Sequence, residues 1–89
     1  MSNFCKLFQV TPLNQVLLLI STNKEDNNYT LTQFTVVEGV VFNIGVEYDN
    51  EDIASRTFDE YKEDNAKLYY LNCCDLLKNK DIGNEYSEN

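Results

Sequence analysis

The chain contains no histidine. It therefore lacks the side chain most used for general acid–base catalysis and for zinc ligation near neutral pH, and a non-enzymatic role is expected. Ser21, Ser55 and Ser87 show no neighbouring lysine pattern that could replace the missing base. The glycines are scarce and isolated, at Gly39, Gly45 and Gly83, so no phosphate-cradling loop exists. Cysteine is limited to Cys5, Cys73 and Cys74, an odd set with two neighbours, too few for a structural zinc site and poorly placed for disulfides. Reduced, buried thiols are expected, with a bridge from Cys5 to Cys73 or Cys74 as the alternative in an exported chain. No cofactor or metal is expected.

Long hydrophobic runs are absent too. The longest is Val16-Leu17-Leu18-Leu19-Ile20, where a membrane-spanning helix needs about twenty residues. The N-terminal residues carry Asn3 and a lone Lys6 and no small-residue cleavage site, so they do not read as a secretory signal. A cytoplasmic location is expected, with no membrane partner.

What the chain does have is acid. It carries 15 Asp and Glu against 7 Lys and Arg, a formal charge of −8 over 89 residues. The acids cluster: residues 47–64 hold Glu47, Asp49, Glu51, Asp52, Asp59, Glu60, Glu63 and Asp64 against Arg56 and Lys62 alone. A local excess of this size reads as a property of one segment, whereas the rest of the chain is close to balanced. A calcium loop is not its explanation. Asp49, Glu51 and Glu60 fall at the first, third and twelfth places of one, but Ile53 stands where an oxygen ligand belongs and Ala54 where glycine must turn.

Periodicity organises the remainder. Residues 4–10 alternate and suit a first strand, ended by the turn Thr11-Pro12-Leu13-Asn14. Residues 15–22 read as a second strand, apolar on both faces and so expected inside a sheet. A polar loop at 23–28 leads to alternation over 29–37, and Glu38-Gly39 supplies a tight turn in which glycine permits positive φ. Residues 40–48 place Val40, Phe42, Ile44, Val46 and Tyr48 on one face, expected to be core.

After Tyr48 the period becomes helical. Asp49 or Asn50 serves as N-cap, Glu51 and Asp52 complement the helix dipole, and a single helix is expected to about residue 64 or 65. Ala54, Thr57, Phe58 and Tyr61 form its inward arc, and Asp52, Arg56, Asp59, Glu60 and Glu63 its outward one. Residues 66–77 are expected to form a fifth strand followed by one helical turn, although a second helix also fits. The resulting fold class is α+β: an antiparallel four- or five-stranded meander sheet with one amphipathic acidic helix packed on it. A single small domain over residues 1–78 and a frayed tail over 79–89 complete the expectation.

A domain of pI about 4.2 repels phosphate, so direct nucleic-acid binding is disfavoured. The partner expected is the reverse: a basic protein surface on a nucleic-acid-binding host protein. Carboxylates over residues 52–64 of one helix would span roughly 18 Å, about the axial rise of five nucleotides. Surface helices carry charge for solubility alone, and Asp52–Arg56 and Arg56–Glu60 are ordinary i,i+4 pairs. Against that, Asp59 with Glu63 and Glu60 with Asp64 would be like charges at i,i+4, each costing a few tenths of a kcal/mol.

The partner-binding residues expected are therefore Asp49, Glu51, Asp52, Asp59, Glu60, Glu63 and Asp64, with Tyr69 and Tyr70 as aromatic contacts, one of them exposed because neighbours on a strand face opposite ways. In size, charge and composition the whole chain resembles the inhibitors that bacteriophages carry against host nucleases and defence complexes. That resemblance implies a cytoplasmic nucleic-acid mimic acting in the host. An immunity protein or antitoxin against a basic toxin uses the same electrostatics. A self-associating assembly subunit or homodimer, paired through a sheet edge or apolar hairpin, is the third class.

Overall fold

The computed structural model describes the backbone of residues 5–23 and 25–87, and the side chains of these residues through Asn79. Four strands and two helices follow in order: β1 (Cys5–Gln9), β2 (Gln15–Asn23), β3 (Asn28–Val37), β4 (Val40–Tyr48), α1 (Glu51–Glu60) and α2 (Glu63–Ser87). The strands form one antiparallel sheet in the order β1-β2-β3-β4, the meander expected from the alternation.

Each hairpin has a local cause. The β1–β2 turn is closed by Asn14, whose carbonyl accepts from the Val10 and Thr11 amides, while Thr11 Oγ1 donates to Asn14 Oδ1 at 2.8 Å. The β3–β4 turn places Glu38 at φ 50° and Gly39 at φ 79°. Two consecutive positive φ values match the right-handed twist of the flanking strands. Glycine takes that conformation freely, whereas Glu38 is held in it by the nine-residue register that zips Tyr29 against Tyr48 through Val37 against Val40.

Both helices pack on the same side of the sheet. Val16, Leu18 and Ile20 of β2 and Leu31, Thr35 and Val37 of β3 are buried there, opposite Ala54 and Phe58 of α1 and Ala66 and Cys73 of α2. Thr35, the buried polar residue of this set, is satisfied by donating its hydroxyl to the Gln15 carbonyl at 2.7 Å. Phe8 of β1 tilts against Tyr61 with ring centroids 5.4 Å apart, extending the core toward the short edge strand.

Two expectations are corrected here. Residues 66–77 are not a fifth strand: they belong to α2, whose stripe Ala66, Tyr70, Cys73 and Leu77 recurs at helical spacing. The first helix does not reach residue 64 either. Tyr61 turns extended, at ψ 121°, and its amide is shared by the Thr57 and Phe58 carbonyls, which closes α1. A new helix then begins. The Lys62 carbonyl accepts from the Ala66 amide, and Asn65 Oδ1 reaches back to the Lys62 amide at 2.9 Å, one half of a capping box.

A third correction concerns β4. Its expected core face is only partly covered: Phe42 and Tyr48 are half-buried, but Val40, Ile44 and Val46 are exposed, because the helices do not extend over the edge strand. The backbone of α2 continues to Ser87; the frayed tail expected over 79–89 concerns side chains and a chain end outside the described residues. Among the described residues no helix is long and apolar enough to cross a membrane.

Candidate functional site

All seven carboxylates singled out from the sequence are exposed, and the fold sorts them into three groups. Asp49 lies in the link from β4, followed by Glu51 and Asp52 in the first turn of α1; Asn50 between them is the N-cap, its Oδ1 accepting from the Ile53 amide at 3.1 Å. Asp59 and Glu60 close α1. Glu63 and Asp64 open α2. The groups at the two helix starts sit where the dipole favours negative charge, by about 0.3–1 kcal/mol each at the surface.

The break at Tyr61 and Lys62 changes the electrostatic argument. Asp59 and Glu63, and Glu60 and Asp64, are not i,i+4 neighbours of one helix, so the repulsion expected from that spacing does not arise. Nor does an unbroken 18 Å rod of carboxylates exist. The ten residues of α1 span about 15 Å, and the remaining acids turn onto a second helix. Among the described residues the one ion pair is Lys67 with Glu63 at 3.4 Å. The Asp52–Arg56 and Arg56–Glu60 pairings permitted by spacing are not closed.

A residue without a functional reading in the sequence completes this junction. Asp59 and Glu60 stand at the negative end of the α1 dipole, and no basic residue occupies that last turn. Lys6 of β1 supplies the charge from across the sheet. Its Nζ donates to the Phe58 carbonyl at 2.6 Å, the Asp59 carbonyl at 3.2 Å and the Tyr61 carbonyl at 3.5 Å, and lies 4.8 Å from the centroid of the Phe58 ring. The only sequence signal was a lysine sharing one face of the first strand with Phe8.

Tyr69 and Tyr70 are also rearranged. On α2 they are successive helical residues, both half-buried, so the opposite-face placement expected of a strand does not hold. The Tyr69 hydroxyl donates to the Gln33 carbonyl at 3.2 Å and that of Tyr70 to Asn14 Oδ1 at 3.2 Å, which ties α2 to β3 and to the β1–β2 turn. Burial raises the Tyr69 phenol above its ordinary range, with Cys73 and Tyr61 adding to it, and contact with Cys74 followed by burial raises Tyr70. Burial likewise pushes the Cys73 thiol up, which keeps it protonated and poorly nucleophilic.

Tyr61 donates its hydroxyl to Gln33 Oε1, and burial pushes its phenol up to about 12. The folded state thus favours the neutral phenol relative to the unfolded chain, whose tyrosines titrate near 10. The stabilisation is fully present below about pH 10 and is lost as pH rises through about 12. Because the ring is half-exposed, solvent screening reduces it to about 1 kcal/mol. Denaturant unfolding between pH 9 and pH 12 measures this: Tyr61→Phe should flatten the alkaline fall in stability, and a fall as steep as the parent's would remove Tyr61 as its source.

Two concavities flank the acidic layer. A groove of about 470 Å³ lies between α2 and β4, lined by Ile44, Tyr61, Leu68, Tyr69 and Leu76 among others. A hollow of about 380 Å³ opens on the opposite, helix-free side of the sheet, lined by Leu7, Leu13, Leu17, Phe34, Val36 and Val41 among others. Among the described residues no group of His, Cys, Asp and Glu is disposed to hold a metal ion. Comparison with protein-family models, with characterised proteins and with solved structures finds no match to this chain.

Proposed function

We propose that the protein is a non-enzymatic acidic binding protein that covers a basic, phosphate-binding surface of a nucleic-acid-binding protein. The observation that carries this reading is the α1–α2 junction, where Asp59, Glu60, Glu63 and Asp64 are all exposed within six residues and only Glu63 has an ion-pair partner among the described residues. Carboxylates left unpaired on a well-packed scaffold retain their field for a partner, and such fields steer association and set specificity. Lys6 anchors the end of α1 from beneath through backbone carbonyls, so the junction is held in place without engaging the carboxylates of Asp59 and Glu60.

In this reading the carboxylates occupy arginine and lysine sites that otherwise hold phosphates, which is nucleic-acid mimicry spread over two helices. The host-directed inhibitory role suggested by the resemblance to phage inhibitors belongs to the same reading. The test is retention from an extract of the source cells at low salt, followed by a salt gradient and by displacement with duplex DNA or RNA. Retained protein should leave as salt rises and be displaced by nucleic acid, and the double variant Asp59→Lys, Glu63→Lys should weaken retention about tenfold or more. Retention unaltered by those reversals would exclude the junction as the binding surface.

A further inference from the structure

One end of the helix-free face of the sheet is apolar, while the other end carries Ser21, Thr30, Thr32, Asn43 and Glu47. Cross-strand register places Leu7 beside Leu17, Leu17 beside Phe34 and Val36 beside Val41 on that side, with Leu19 next along β2. An antiparallel sheet with one solvated face alternates cleanly between apolar and polar residues. This one does not: Leu7 is 61% exposed and Val41 64%, and Leu13 in the β1–β2 turn is 93% exposed. The apolar run of β2, which the sequence reads as covered on both faces, is fully covered on one, while Leu17 and Leu19 on the other are half-buried.

We infer that this face is covered by the same face of a second copy of the chain. Charge selects that occupant. Among the strand residues sharing the face only Glu47, at the β4 edge, is charged, although the chain as a whole carries −8. A basic partner would find little there to pair with, whereas two anionic copies can meet on it. Sheets packed face to face stand about 10 Å apart, and the helical layers with their acids then point outward on opposite sides, farther apart than the screening length of about 8 Å at physiological salt.

The area is adequate. Four strands about 4.8 Å apart and five to ten residues long offer on the order of 500 Å² per copy when the polar end of the face is counted with the apolar one. Two copies therefore bury on the order of 1,000 Å², the lower bound for a specific interface, before Leu13 is added. The product is a four-layer α/β/β/α sandwich presenting two acidic junctions, one on each outer side. This inference does not depend on what the junctions bind.

Sedimentation of the full chain at micromolar concentration, in about 0.15 M and about 1 M salt, tests it. A species of twice 10.3 kDa that persists at high salt is expected. Leu7→Lys and, independently on another strand, Val41→Lys should each raise the dimer dissociation constant at least tenfold with helix and strand content retained by circular dichroism. Ile44→Lys, exposed on the other side of β4, and Asp59→Lys with Glu63→Lys should leave the dimer intact. A monomer at all concentrations overturns the inference. So does a dimer broken by Ile44→Lys but indifferent to both face variants, which would assign association to the groove between α2 and β4 that Ile44 lines.

Discussion

Phe58→Ala should lower the free energy of unfolding by about 3–5 kcal/mol. For 89 residues the total stability is on the order of 5–13 kcal/mol, so this single truncation removes a large share of it. Phe58 is 1% exposed and is the largest fully buried side chain among the described residues. It packs with Ala54 into Leu18, Ile20 and Leu31, with Tyr29, Tyr48 and Tyr61 around the margin. A ten-residue helix is not stable alone in water, and Ala54 is too small to hold it, so the attachment of α1 rests on this ring. The cavity left by alanine would also remove the aromatic face beneath the Lys6 ammonium. Urea unfolding with Leu71→Ala as the comparison gives the measure: Leu71 is 56% exposed, and its loss should stay within about 0.5 kcal/mol. A Phe58→Ala cost below about 1 kcal/mol would show that α1 is anchored elsewhere.

The strands were legible because each carries its own period. β1, β3 and β4 alternate, β2 is a short continuous apolar run, and the four are separated by Thr11-Pro12-Leu13-Asn14, a polar loop and Glu38-Gly39, so the meander follows from local chemistry. α2 was less legible for two reasons. Tyr69, Tyr70, Cys73 and Cys74 favour strands as single residues, and Leu68, Leu71 and Leu76 are exposed on α2, which blurs the stripe made by Ala66, Tyr70, Cys73 and Leu77. The end of α1 was hidden because the sequence contains neither glycine nor proline near Tyr61. Termination comes from Lys6, fifty-five residues earlier, and from the Tyr61 hydroxyl on Gln33, both tertiary contacts. The same holds for the acidic site. Its residues were readable as a cluster of like charge, but their division between two helices depends on those long-range contacts.

That dependence makes Lys6 the residue where fold and candidate site meet. Replacing it by methionine keeps the length and apolar stem of the side chain but leaves the Phe58, Asp59 and Tyr61 carbonyls without their charged donor. Hydrogen bonds to a charged group contribute about 1.5–3 kcal/mol, and Lys6→Met should cost that much, lowering the melting temperature by about 10 °C in a domain of this size. The loss should exceed that of Lys67→Met, since the exposed Lys67–Glu63 pair is a surface bridge of about 0.5 kcal/mol or less. The variants also separate structure from electrostatics, because each removes one positive charge from the same chain. If the acidic junction needs its geometry, Lys6→Met should weaken partner retention despite making the protein more negative, while Lys67→Met should leave retention unchanged or strengthen it. Equal gains in retention from both variants would mean that net charge alone governs binding and that the turn from α1 into α2 contributes nothing to recognition.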